Sequence, residues 1–256
     1  MKRVAIVTGA SRGLGEAIAL ALLEANYNVG VGYNTQKEMA EKVCSYHDDN
    51  YPFNEREVLN IGEGIPIELN VNNRASIKDA YDTIIDGWGR IDILINNAAI
   101  SQEKQYLHLT DWDFQHMLSV NLVGPSACSQ LVLPHMISNG GGRIINITSI
   151  GGQKGGVNQV HYAASKAGLI SLTKSLSNLY AQYGVLVNAV APGLVSSGMS
   201  SRELDTVEGH KKVVESPLGR IATPEEIAHV VKVLCSSKMS YMTGQTINVN
   251  GGSYCG

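Results

Sequence analysis

The sequence predicts an α/β protein, a single doubly wound domain spanning residues 1–256, with a seven-stranded parallel sheet and helices on both faces. Three observations predict it. Short Val- and Ile-rich runs alternate with longer helical segments, the rhythm of a parallel sheet whose crossovers cover both faces. The first run, Val4 to Val7, leads straight through a glycine-rich turn into a helix. The chain has 256 residues, 44% of them hydrophobic, which is enough for one sizeable core.

Val4 to Val7 is a short β-branched run, and Glu16 to Ala25 has helical character. Asn28 to Tyr33 reads as a second strand, interrupted by Gly30 and Gly32, and Thr35 to Ser45 as a helix. Ile65 to Val71 is the third strand, Ile77 to Trp88 a helix, and Ile91 to Asn96 the fourth strand. A long helix begins near Thr110, where Thr110 and Asp113 form a capping-box pattern. Arg143 to Ser149 is the fifth strand, Tyr162 to Tyr183 a helix, and Leu186 to Ala191 the sixth strand. Thr223-Pro224-Glu225-Glu226 carries an N-cap, a proline at the first helical position and a glutamate at the third. Gln245 to Val249 is the last strand. The polar stretch from Ser45 to Gly64 is a long connection for such a fold.

A net charge of −3 and an isoelectric point near 6.2 provide no electrostatic case for nucleic acid or an anionic membrane. No run of about eighteen apolar residues occurs, so no membrane span is expected. The apolar start at Val4 is broken at once by Thr8-Gly9-Ala10-Ser11, which reads as a strand and turn rather than a signal peptide. Cys44, Cys128, Cys235 and Cys255 are widely spaced and read as reduced thiols of a cytoplasmic protein. The seven histidines lack ligand spacing, so no metal is assigned.

Thr8-Gly9-Ala10-Ser11-Arg12-Gly13-Leu14-Gly15 meets the demands of a dinucleotide turn in a Rossmann domain. Its glycines allow a tight turn, close approach of pyrophosphate and close helix–strand packing, while backbone N–H groups and the helix dipole hold the anion. A carboxylate at the end of the second strand would bond a ribose 2′-hydroxyl and select NAD. That strand ends Gly32-Tyr33-Asn34-Thr35, without a carboxylate, and Arg12 and Lys37 stand nearby. A cation without a carboxylate suits a 2′-phosphate, so NADPH/NADP+ is expected rather than NADH.

Tyr162 and Lys166 are four residues apart in His161-Tyr162-Ala163-Ala164-Ser165-Lys166, one helical turn on one face. A neighbouring ammonium favours the phenolate and makes a tyrosine usable as a general acid–base at neutral pH.

These features occur in a fixed order with Asn96-Asn97-Ala98-Ala99 after the fourth strand, Asn121 in the long helix, Ser149 after the fifth strand and Pro192-Gly193 after the sixth. The ordered set resembles the short-chain dehydrogenase/reductase family over essentially the whole chain. The resemblance implies that Tyr162 protonates a carbonyl oxygen, Lys166 lowers its pKa and bonds the nicotinamide ribose, and Ser149 donates to the substrate oxygen. It implies that Asn121 holds a water linking Lys166 to solvent. It places Gly9, Ser11, Arg12, Gly13, Leu14, Gly15, Asn34, Thr35, Asn97, Ala98, Pro192 and Gly193 along the cofactor. Asn70 and Val71 would meet its adenine, and Val195 and Ser197 its nicotinamide amide. Ala99, Asn70 and Ser197 depart from the family's commoner glycine, aspartate and threonine.

Within the family the chain most resembles the bacterial reductases of 3-oxoacyl thioesters carried on acyl carrier protein. The stretches are Leu69-Asn70-Val71, Gln159 to Tyr162, Pro217 to Ile227 and Thr243 to Gly252. Such reductases place arginines near the ends of two long helices to meet the acidic carrier, and the corresponding positions here, Ser138 to Gly140 and Asn178, are not basic. A coenzyme A ester or another small ketone, sugar or steroid alcohol therefore stays open, as does a non-catalytic NADP-binding sensor or scaffold. Residues 194–216 are expected to cover the substrate, and a homotetramer is implied, with Ala163, Ala164, Ala167 and Gly168 allowing close helix approach.

Overall fold

Val4–Val7 forms β1, whose side chains alternate between two cores. Ala5 and Val7 join one core; Val4 and Ile6 join the other. The other strands are β2 (Asn28–Tyr33), β3 (Gly64–Glu68), β4 (Ile93–Asn96), β5 (Gly142–Ile147), β6 (Val185–Pro192) and β7 (Thr246–Val249). They pair in parallel in the order β3-β2-β1-β4-β5-β6-β7. This computed structural model describes residues 2–50, 60–196, 198 and 207–255.

The connecting helices are α1 (Gly13–Glu24), α2 (Lys37–Asn50), α3 (Arg74–Trp88), α4 (Asp111–Leu118), α5 (Gly124–Ser138), α6 (Gly151–Lys154), α7 (Val160–Tyr180), α8 (Val207–Glu215) and α9 (Pro224–Cys235). Buried residues of α1 and α9, including Ile18, Leu22, Ile227 and Val231, pack on one face of the sheet. Ile77 and Ile84 of α3 and Val132 and Met136 of α5 pack on the other. The expected doubly wound Rossmann architecture is therefore present.

Several boundaries differ from the sequence reading for local reasons. β3 stops at Glu68 because Asn70 turns the chain: its N–H donates to Ser76 Oγ (2.9 Å) and its Oδ1 accepts from Asn72 N (2.9 Å). β3 is an edge strand, which is why Pro66 is tolerated in it. Its neighbour β2 holds Gly30 where a Cβ would crowd Ile84 of α3 at 2.7 Å, so that glycine serves close helix–sheet packing. α2 continues past Ser45 to Asn50, shortening the long polar connection; residues 51–59 lie outside the described residues. The helix starting after Thr110 has its full capping box but is interrupted by a π turn, Ser119–Val123, between α4 and α5. α9 has the predicted capping box between Thr223 and Glu226. α6 and a 3₁₀ turn at Tyr106–His108 add to the predicted elements.

Candidate active site

The strand order reverses between β1 and β4, and a crevice for ligands forms at the carboxyl ends of strands at such a switch point. The glycine turn lies there. Gly9 and Gly13 have φ of +62° and +59°, a region that favours glycine. A Cβ at Gly9 would stand 3.0 Å from Ala98 Cα, and one at Gly15 would collide with the Gly9 carbonyl oxygen and the Asn97 amide. Thr8 Oγ1 accepts from the N–H groups of Asn97 (3.0 Å) and Ala98 (2.9 Å). Asn97 Nδ2 donates back to the carbonyls of Thr8 (2.9 Å) and Gly9 (3.0 Å). The turn is thus sewn to the end of β4, with Asn97 as the stitch.

Arg12 is the N-cap of α1; it is extended, exposed and makes no side-chain cap bond. Ser11 is buried and Leu14 half-buried. Gly13 N–H donates to Glu16 Oε2 (3.1 Å). A helix start at a switch point, reached through glycines that admit no side chain, fits the pyrophosphate of a dinucleotide. Asn34 and Thr35 are exposed at the end of β2. Val71, beyond β3, packs beneath the π turn, where a Cβ on Gly124 would come within 2.8 Å of its Cβ.

Ser149 follows β5, and its Oγ accepts from Gly151 N–H (3.0 Å). The next residue, Ile150, donates its N–H to the carbonyl of Pro192 (3.1 Å), tying this turn to the end of β6. Gly193 donates to Val249 O (3.1 Å), and a Cβ on it would meet Asn250 Cα at 2.9 Å. Val195 is buried and bridges Ala222. Ser197 lies outside the described residues, as do Met199, Arg202 and Leu204 of the covering segment.

The helix α7 carries Tyr162 and Lys166 on one face. Lys166 is 2% exposed, its Nζ donates to the Ile147 carbonyl (2.8 Å), and it lies 5.7 Å from the centroid of the half-buried Tyr162 ring. Burial pulls the ammonium from 10.5 down to about 8. Gly152 of α6 is required beside it, because a Cβ there would lie 2.7 Å from the Lys166 carbonyl carbon. The pair is therefore a phenol beside a buried amine, and the amine's own titration is drawn down to about 8.

Asn121 is fully buried in the π turn. Its Oδ1 accepts from Ile100 N–H (2.9 Å), and its Nδ2 donates to Ile100 O (2.9 Å) and Ser165 Oγ (3.2 Å). The side chain is thus committed to holding the π turn, a rare irregularity in a helix, against Ile100.

Sequence reasoning missed a buried polar chain beside this site. Asn96 Nδ2 donates to Asn146 Oδ1 (2.8 Å) and Ser129 Oγ (3.2 Å), and Asn146 Nδ2 donates to Thr173 Oγ1 (2.8 Å) on α7. The signal was available: an asparagine near the end of each of two adjacent, otherwise apolar strands needs a partner. Of the four small residues on α7, Ala163 is buried and Gly168 lies against Leu122, so both serve packing within the protomer; Ala164 and Ala167 are exposed. The cysteines are free, no cluster of three metal-ligating side chains occurs among the described residues, and no described helix is long and apolar enough to cross a membrane.

A family model described as enoyl-(acyl carrier protein) reductase matches residues 9–254. The 3-oxoacyl-[acyl-carrier-protein] reductase FabG of Staphylococcus epidermidis is 38% identical over 255 residues, covering 99% of this chain and 100% of the relative. The FabG of Aquifex aeolicus is 40% identical, covering 98% and 97%, and a Synechocystis reductase of the same description is 37% identical, covering 98% and 96%.

Proposed function

Because the chain belongs to the short-chain dehydrogenase/reductase family, and is thus an oxidoreductase, we propose that it reduces the ketone of a 3-oxoacyl thioester to the 3-hydroxyacyl product with NADPH. The observation that carries this reading is the buried Lys166 beside Tyr162, at the carboxyl end of the sheet, where Ser149 follows β5. When bound, the cofactor supplies hydride to the carbonyl carbon. Tyr162 delivers the proton to the carbonyl oxygen, and Ser149 donates a hydrogen bond where negative charge grows. Lys166 makes the phenol acidic enough to act, and Asn121 holds the π turn against Ile100, leaving its carbonyls to a water that resupplies protons. The turn from Gly9 to Gly15, with Ser11, Arg12, Asn34 and Thr35, would hold the adenosine half. Asn70 and Val71 would meet the adenine of that half, and Asn97, Ala98, Pro192, Gly193, Val195 and Ser197 would line the rest.

The matching model is described by enoyl reduction and the relatives by 3-oxoacyl reduction. Two hydroxyl donors are equipment for a carbonyl oxygen, which favours the second. The carrier is a separate question. Ser138, Asn139 and Asn178 offer no cation, and Arg143, the nearest arginine, spends its guanidinium on the Ser236 carbonyl (2.9 and 3.2 Å). Acetoacetyl-coenzyme A is therefore expected to be turned over as readily as the same acyl group on acyl carrier protein. A substrate panel with NADPH tests both points, and inertness toward every 3-oxoacyl thioester would overturn the reading. In the same protein, fluorescence titration is expected to give tighter binding of NADPH than NADH, since Arg12 is uncapped and exposed and no carboxylate ends β2; equal constants would refute it.

We also propose a cytoplasmic homotetramer, supported by exposed Ala164 and Ala167 on α7 and by exposed Trp112 and Val123 on the neighbouring helix run. Sedimentation is expected to give four times the chain mass, and a monomer would contradict it.

A further inference from the structure

Residues 98–104 run from the nucleotide turn to the loop before Tyr162. At one end Ala98 N–H donates to Thr8 Oγ1; at the other Lys104 N–H donates to Asn158 O (2.8 Å). Between them, Ile100 is anchored through its backbone and Gln102 and Lys104 through their side chains. Ile100 exchanges two hydrogen bonds with Asn121. Gln102 Oε1 meets His161 Nε2 at 3.1 Å. Lys104 Nζ bonds Asp113 Oδ2 at 2.6 Å, and that carboxylate also accepts from Thr110 Oγ1 (2.6 Å) and N (2.8 Å).

The middle anchor is the unusual one. His161 is fully buried, precedes Tyr162 and lies against Phe114 of α4 with ring centroids 6.3 Å apart. Its Nδ1 is buried without a hydrogen-bond partner among the described residues. An aliphatic side chain there would leave no orphan, so what the imidazole adds is the bond made by its other nitrogen. The atom of Gln102 that meets His161 is its carbonyl oxygen, which only accepts, so His161 Nε2 is the donor and the orphaned Nδ1 carries the lone pair.

We infer that His161 is a positioning residue: its Nε2–H, through Gln102, holds residues 98–104 as a fixed wall joining the nucleotide turn to the Tyr162 helix, and this wall orients the ketone substrate. The inference deepens the proposed reduction and rests on it for the substrate's identity, but the fixing of the wall can be read without turnover. His161→Leu keeps the bulk, removes the donor and removes the orphaned Nδ1, so the variant is expected to fold with a Tm no lower than wild type. Hydrogen exchange of the amides of residues 100–104 is then expected to quicken at least about tenfold, as a local opening would allow. The KM for acetoacetyl-coenzyme A rises about tenfold with kcat and the NADPH dissociation constant within about twofold, the pattern of a lost positioning contact. His161→Gln, whose amide restores a donor at similar reach, returns both readouts toward wild type. Unchanged exchange in His161→Leu, or loosening that His161→Gln fails to reverse, overturns the inference. A chain that shows the exchange pattern but reduces no thioester would leave the wall standing and refute the proposed substrate alone.

Discussion

Tyr162→Phe is expected to lower reductive turnover by about a thousandfold, the middle of the range for loss of a general acid, while the NADPH dissociation constant stays within about twofold. The ring remains, so its packing and its 5.7 Å approach to the Lys166 ammonium remain. Only the proton donor is removed. Lys166 cannot substitute, because the residue is 2% exposed and its Nζ is tied to the Ile147 carbonyl. Ser149 cannot substitute either, since an alkyl hydroxyl without a base beside it is a far weaker acid than a phenol beside a cation. Steady-state kinetics and fluorescence titration on one preparation separate the two effects. Turnover near wild type would remove Tyr162 from the mechanism, and lost nucleotide affinity would assign it to binding.

What could be read before the structure was what depends on neighbours in sequence. The Tyr162–Lys166 face follows from helical spacing, the α9 start follows from Thr223-Pro224-Glu225-Glu226, and β1 and β2 begin and end where their apolar runs do. The glycine turn was legible because its geometry excludes side chains. What depends on distant partners was not legible. The π turn at Asn121 has no composition of its own; it exists because Asn121 reaches Ile100 twenty-one residues back. α2 runs through a polar stretch because partial packing on the core by Cys44, after Ala40 and Val43, carries it past Ser45. Small residues on α7 were read as one surface, yet Gly168 is small because Leu122 lies on it. The same limit hid His161, which in sequence is merely the residue before Tyr162.

Lys166→Met is expected to abolish reduction to a similar degree and, in the cofactor-free protein, to stabilise the fold. The unfolded chain holds the Lys166 proton until about pH 10.5, whereas burial lets the folded site release it near 8. The folded state thus binds this proton less tightly. Below pH 8 both states carry the charge, and folding bears the whole penalty of a buried ammonium. A difference of about 2.5 pKa units corresponds to roughly 3 kcal/mol. As pH rises from about 8 to about 10.5 the folded amine is neutral while the unfolded chain still binds the proton, so wild-type stability from this group increases across that window. Methionine fills a similar volume without charge, at the loss of one hydrogen bond to Ile147 O worth about 1 kcal/mol. Denaturant titrations are therefore expected to show Lys166→Met more stable than wild type by about 2 kcal/mol at pH 7, with the gap closing by pH 10. A variant less stable than wild type at pH 7 would mean that the ammonium is compensated in the folded state and its pKa is not depressed. The activity profile carries the same sign. Reduction by wild type should fall as pH climbs through about 8, because a neutral amine no longer favours the phenolate and Tyr162 becomes a weaker acid. Stability and turnover are therefore expected to move in opposite directions through one proton, because in the proposed mechanism the charge that weakens the fold at neutral pH is the charge that makes the neighbouring phenol an acid.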